Sequence, residues 1–186
     1  MSRQHPPIRH CNVCGSTVEQ RVPAGDTHSR AVCLSCGHIQ YQNPKVVVGS
    51  VAVWEEKILL CRRAIEPRHG KWTLPAGFME NGETAPEGAM REALEEANAG
   101  VEIEQLYTLF SVPHISQVYV IFRANLLDLE FSPGEESLEV KLVREDEIPW
   151  DELAFASVKR TLAHFIEDRR TGVFLPRFGE IRPPER

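Results

Sequence analysis

The chain of 186 residues is 42% hydrophobic and 26% charged, a globular balance that excludes a disordered or fibrous protein. Its 21 Lys and Arg against 27 Asp and Glu leave a net charge of −6, which argues against a general nucleic-acid binder. Residues 1–45 carry +3 and the rest −9, so a basic head sits on an acidic body. No apolar run approaches the ~18–20 residues of a membrane span. The first ten residues, MSRQHPPIRH, hold no apolar stretch of secretory type. The expected compartment is the cytoplasm, where thiols stay reduced, so the five cysteines need a use other than disulfides.

Cys11-Asn-Val-Cys14-Gly15 and Cys33-Leu-Ser-Cys36-Gly37 are two CxxCG units with eighteen residues between them. Two residues between thiols let a tight turn aim both sulfurs at one ion, and the glycine accepts the positive φ of that turn. Four thiolates suit a closed, structural zinc site. A redox pair or a disulfide is the alternative, and the duplicated spacing favours zinc. His10 and His38 flank the cysteines and read as surface histidines, since four thiolates already fill the site. Residues 1–42 are expected to form a zinc ribbon, 43–170 the main domain and 171–186 an extended tail.

The main domain reads as mixed α/β. Lys45 to Trp54 is β-branched and apolar on both faces, as an internal strand would be. Glu55-Glu56-Lys57 predicts a turn and Ile58 to Arg62 a returning strand, with Cys61 as a small core residue. Trp72-Thr73-Leu74 then leads into Pro75-Ala76-Gly77. Residues 84–98 predict the clearest helix: Thr84 is its N-cap, Glu87 completes a capping box and Pro86 fits the first turn. Its expected apolar side is Ala89, Met90, Ala93, Leu94 and Ala97. Strands are predicted at 102–112, 117–127 and 138–143. Leu153 to Arg170 predicts an amphipathic helix through Val158, Leu162, Phe165 and Ile166. Pro176, Pro183 and Pro184 leave the tail extended or frayed.

Glu92, Glu95 and Glu96 share one face of the first helix, where like charges repel. An oxygen-ligated divalent cation would relieve that repulsion, and Mg²⁺ or Mn²⁺ takes its remaining ligands from water and substrate phosphates. The stretch Gly77-FMENG-Glu83-TAPEGAM-Arg91-Glu92-Ala93-Leu94-Glu95-Glu96-Ala97-Asn98-Ala99 resembles the Nudix box, G-x5-E-x7-R-E-U-x-E-E-x-G-U. Ala93 and Ala99 are smaller than the usual aliphatics. Asn98 replaces the glycine, and Asn is the next best residue for a left-handed helix end. The resemblance implies an α/β/α sandwich with a mixed sheet. It also implies hydrolysis of a nucleoside diphosphate joined to a second group. Glu92, Glu95 and Glu96 match the metal-binding carboxylates, and a carbonyl of Ala76 or Gly77 is the implied backbone ligand. Arg91 and Glu83 match the pair that keeps loop and helix in register. The general base is implied to be Glu92 or one of Glu135, Glu136 and Glu139, with Glu139 favoured as base or extra ligand.

A four-cysteine ribbon before such a domain is similar to NADH pyrophosphatases, but their SQPWPFP-type signature is replaced here by Tyr107-TLFSVPHISQVYVI-Phe122. Pro113, fifteen positions past Asn98, resembles the spacing of ADP-ribose pyrophosphatases. The run from Tyr41 through Glu80 is similar to plant chloroplast Nudix enzymes that split FAD and ADP-ribose. An adenine dinucleotide needs a ring or cation against its base and positive charge at its phosphates; the candidates are Tyr41, Trp72, Phe78, Arg62 and Arg63, with Arg68 and His114 beside them. The expected partners are a nucleotide substrate and a second copy of the chain. NADH hydrolysis, or nucleotide sensing with the ribbon on nucleic acid, stands as the alternative. Zinc analysis tests the four-thiolate site: Cys33→Ser is expected to release zinc and unfold the head, and one zinc per chain retained in the variant contradicts it.

Overall fold

A computed structural model of the chain describes residues 7–183. The first six residues of the stretch read for a secretory signal, and Pro184 of the tail, lie outside them. The chain divides into two compact units, Met1–Pro44 and Lys45–Arg186.

In the first unit β1 (Val18–Arg21), β2 (Arg30–Cys33) and β3 (Ile39–Gln40) form an antiparallel sheet in that order. Each CxxCG closes the same way. The Gly15 N–H donates to Cys11 O at 2.9 Å and the Gly37 N–H to Cys33 O at 3.2 Å, with φ of 74° and 72° at the two glycines. A side chain strains that backbone, which is why glycine follows each knuckle.

The second unit is a sandwich. Its strands are β4 (Lys45–Trp54), β5 (Lys57–Arg63), β6 (Trp72–Thr73), β7 (Ala76–Phe78), β8 (Val101–Val112), β9 (Gln117–Leu126), β10 (Ser137–Val143) and β11 (Arg177–Glu180). The sheet runs β10-β5-β4-β9-β8-β11, with β6 on β5 and β7 on β4. It is mixed: β4 runs parallel to β9 and antiparallel to β5. Alternation along β4 sends Val48 and Ala52 to the face covered by α1 (Ala85–Ala97) and Val51 to the face covered by α2 (Ala156–Thr171). A strand buried on both faces therefore carries no polar alternation.

The predicted strands and helices form within three residues of their expected ends. Cys61 is buried, and so are Val158, Leu162, Phe165 and Ile166 on α2. Each such side chain contributes at most about 1.5–3 kcal/mol. The predicted α2 start shifts from Leu153 to Ala156, because residues 150–152 form a separate turn and Phe155 is extended. Among the described residues no helix is long and apolar enough to cross a membrane.

The tail departs from expectation. Residues 177–180 add β11 parallel to β8, from Arg177 beside Thr108 to Glu180 beside Ser111. Prolines at 176 and 183 bracket the strand rather than abolish it. The buried Asp168 of α2 secures it, accepting from Tyr107 Oη at 2.8 Å and from the Arg177 guanidinium. Burial alone would raise the Asp168 carboxyl, but bonds from Arg177 and then Tyr107 outweigh it and hold the group below its ordinary value. The clamp therefore contributes fully above the unfolded pKa of 3.8 and is lost as pH falls through the lower folded value. Asp168→Asn is expected to cost about 1–3 kcal/mol at neutral pH. Urea melts should show that gap narrowing as the pH drops below 3.8; a gap independent of pH contradicts the clamp.

Candidate active site

Helix α1 begins as its sequence demands. Thr84 and Glu87 bond reciprocally, with the Thr84 N–H on Glu87 Oε2 at 2.7 Å and the Glu87 N–H on Thr84 Oγ1 at 3.4 Å. It ends at Asn98, in the left-handed region at φ 47°. The buried side of the helix is Gly88, Ala89, Glu92, Ala93, Glu96 and Ala97. Met90 and Leu94, expected on that side, are 37% and 57% exposed. The reason is steric. An alanine strip packs the helix on the sheet beside Ala52, Ala124 and Cys61, and the same turn of the helix carries Glu92 and Glu96 inward.

Arg91 organises the carboxylates. Its Nε and Nη2 donate to both oxygens of Glu83 at 3.0 and 2.9 Å, a bidentate pair. Nη2 also reaches Phe78 O at 3.1 Å, while Nη1 donates to Glu92 at 2.7 Å and to Glu95 at 2.8 Å. Arg91, reinforced by the Glu80 N–H, holds the Glu83 carboxyl down at about 2. Glu96 accepts from the Ala76 N–H at 3.3 Å. Gly77 lies so close to Glu92 that a Cβ there would stand 2.4 Å from the carboxylate oxygens, so the backbone meets this side chain only as glycine.

Burial raises Glu92 despite Arg91, and burial followed by the Glu92 charge pushes Glu96 up to about 8. Burial and mutual repulsion thus make both groups hold a proton more tightly than a free carboxylate, a cost that a bound cation would offset. Carboxylate oxygens are the donors a hard divalent cation takes together with water; here Glu92 and Glu95 turn to Arg91 and Glu96 to the Ala76 N–H, and among the described residues only the cysteines gather their ligand atoms into one cluster. The thiols fit a different ion. Cys11, Cys14, Cys33 and Cys36 place their sulfurs within 4.8 Å of one another, with separations of 3.4, 3.5 and 3.8 Å. Tetrahedral zinc–thiolate bonds imply about 3.8 Å.

Other predicted residues fall elsewhere. Trp72 is buried in the α2-side core with the Lys141 ammonium over its ring, so no base can stack on it. Tyr41 belongs to the ribbon unit, where Arg30 covers its ring at 5.1 Å. Phe78 is 45% exposed, with Lys45 Nζ 4.6 Å from its ring centre. Arg62 is half exposed and donates to Gly70 O. Arg63 is buried, bonded to Pro67 O and close enough to Glu96 to lower it. Glu139 does not join the acidic helix. It lies in β10 opposite Arg62, 3.7 Å from its guanidinium. Glu136, just before that strand, is the residue of this loop whose charge reaches Glu92 and Glu96. Nothing in the order of acids along 135–139 separates the two; only the start of β10 at Ser137 does. A surface cavity of about 510 Å³, lined by Trp150, Ile166 and Arg170 among others, contains none of these carboxylates.

A fold of this kind with this acidic helix defines a diphosphate-hydrolysing class. The NUDIX domain family model matches residues 43–166, and a second model, described as Nudix N-terminal, matches residues 9–42. The chain belongs to the Nudix hydrolase family, enzymes of phosphoric anhydride bonds. An ADP-ribose pyrophosphatase of Methanocaldococcus jannaschii is 30% identical over 121 residues, 62% of this chain and 69% of that protein. An NAD-capped RNA hydrolase NudC of Photobacterium profundum is 30% identical over 132 residues, covering 69% of this chain and 46% of that protein. The chain thus spans about half the length of that relative. A crystal structure of a NUDIX hydrolase from Nitrosomonas europaea is 55% identical with TM-score 0.89, covering 94% of this chain and 100% of the other.

Glu96→Gln keeps an acceptor for the Ala76 N–H and removes a buried group that costs stability wherever it must ionise. The metal-free variant is therefore expected to melt at or above the wild-type temperature. Mg²⁺ or Mn²⁺ should raise the melting temperature of the wild type and not of the variant. Equal shifts in the two proteins, read by calorimetry with and without chelator, contradict Glu96 as a ligand.

Proposed function

We propose that the chain hydrolyses the diphosphate of an adenine nucleotide joined to a second group, ADP-ribose or FAD, releasing AMP. The observation that carries this reading is the pair Glu92 and Glu95 bonded by Arg91, with Glu92 against Gly77 and Glu96 on the Ala76 N–H. The choice of substrate draws on the likeness to a protein named ADP-ribose pyrophosphatase and on Pro113, which opens the turn between β8 and β9.

The three carboxylates, with a carbonyl of Ala76 or Gly77, would hold Mg²⁺ or Mn²⁺, which when bound neutralises the diphosphate and acidifies water. Arg91 and Glu83 fix the loop and helix before substrate arrives, so little reorganisation remains for the reaction. Arg62 and Arg63, at the end of β5, supply positive charge toward phosphate oxygens. The exposed face of Phe78 is a platform for a planar base. A carboxylate, Glu92 or Glu136, accepts a proton from the attacking water. A new P–O bond forms, the bridging P–O bond breaks, and the negative charge passes to the departing phosphate. The ribbon, with its four thiolates on zinc, takes no part in that chemistry and has a structural role.

A second reading draws on the likeness to an NAD-capped RNA hydrolase: the second group would then be nicotinamide ribotide. Parallel assays of AMP release from ADP-ribose, FAD and NADH, with Mg²⁺ or Mn²⁺ and with chelator, separate the two. Cation-dependent release from ADP-ribose or FAD ahead of NADH is the expected result; NADH ahead of both establishes the second reading. Glu95→Gln is expected to lower turnover by about two orders of magnitude or more in an intact fold, and unchanged turnover overturns the site.

A further inference from the structure

Where the box pattern has glycine, this chain has Asn98, and its side chain spans a gap that glycine leaves open. Asn98 Nδ2 donates to Ser132 O at 3.1 Å, Ser132 Oγ at 3.2 Å and Pro133 O at 3.3 Å. Around this anchor the backbone of the same segment closes the end of α1. The Ser132 N–H donates to Ala97 O at 2.9 Å and the Gly134 N–H to Glu96 O at 3.0 Å. Helix-end carbonyls that would otherwise lack partners are satisfied by this strap. It lies so close that a Cβ on Gly134 would stand 1.8 Å from Glu95 O.

The strap ends at a second anchor. Two residues past Gly134, Glu136 O accepts from the Ala64 N–H at 2.8 Å, and β10 begins at the next residue. Glu136 is therefore suspended between the carboxylate helix and the end of β5, the strand that carries Arg62 and Arg63.

We propose that Asn98 is a positioning residue: by tying Ser132 and Pro133 to the end of α1, it steadies the strap that carries Glu136 from the carboxylate helix to β5, and so places the Glu136 carboxylate for the hydrolytic step. This inference rests on the hydrolase reading above and concerns residues outside the acidic set of the box. A glycine at 98 would keep the left-handed helix end and the two backbone bonds, and would remove the side-chain bonds to Ser132 and Pro133.

The test compares Asn98→Gly, Glu136→Gln, the double variant and Glu95→Gln. Readouts are amide hydrogen exchange in the metal-free protein, Mn²⁺ affinity by calorimetry, and kcat and KM taken separately with ADP-ribose. Asn98→Gly is expected to keep the wild-type melting temperature within a few degrees and to speed exchange at Ser132 and Gly134. It should weaken Mn²⁺ binding and lower kcat roughly ten- to hundredfold, with KM changed less than about twofold. The double variant should be no slower than Glu136→Gln alone, because both act through one carboxylate. Wild-type kcat in Asn98→Gly despite faster exchange overturns the proposal, as do two losses that multiply. Wild-type turnover in Glu136→Gln with Glu95→Gln inactive removes the inference and leaves the hydrolase; no turnover of ADP-ribose by the wild type removes the hydrolase reading itself.

Discussion

The Arg91 guanidinium bonds three carboxylates and a carbonyl at once, and the acidic face of α1 depends on that arrangement. Glu92, Glu95 and Glu96 on one short helix repel each other, and two of them are turned inward, away from water. Arg91 offsets part of this cost while staying on the same helix, so it needs no distant partner. Through Glu83 and Phe78 O it also pins the loop that delivers Ala76 and Gly77 to the carboxylates. Removing the arginine would leave a buried anionic cluster without its counterion, the most costly kind of vacancy in a folded protein.

Small residues make the arrangement possible. Ala89, Ala93 and Ala97 are fully buried and let α1 lie close on the sheet. Glycine at 77 and at 134 lets backbone approach the carboxylate helix from two sides. The opposite face, under α2, carries the larger side chains, among them Tyr107, Leu162 and Phe165. Both faces bury apolar residues, and the α1 face carries the acidic site as well. The ribbon faces a separate problem: a unit that buries few apolar residues gathers four cysteine sulfurs where an ion could staple it.

The residues proposed to meet substrate are less regular in their exposure. Phe78 and Arg62 are accessible, while Arg63 is buried beside the acidic set. A buried cation near a carboxylate cluster moderates local charge as well as offering a contact for phosphate. The 132–136 strap connects these two elements, since it touches both the end of α1 and the end of β5. Placement of a loop carboxylate and placement of the helix are therefore coupled through a few backbone bonds.

Much of this was legible in one dimension, because it is local. The capping box, the duplicated knuckles with their positive-φ glycines, and the strands and helices follow from neighbours within a few residues of each other. So does the spacing of Arg91 and the carboxylates, which a helix converts directly into a shared face. What only the tertiary structure decided are relations between distant segments. Whether Glu136 or Glu139 faces the site depends on where β10 joins β5. Trp72 reads equally well as core or binding wall until its burial is seen. The proline-rich tail becomes β11 only because Asp168 and β8 await it. Sequence determines local conformation through steric and hydrogen-bond rules of short range; register, burial and charge proximity belong to the folded whole, where segments far apart in the chain compete for the same space.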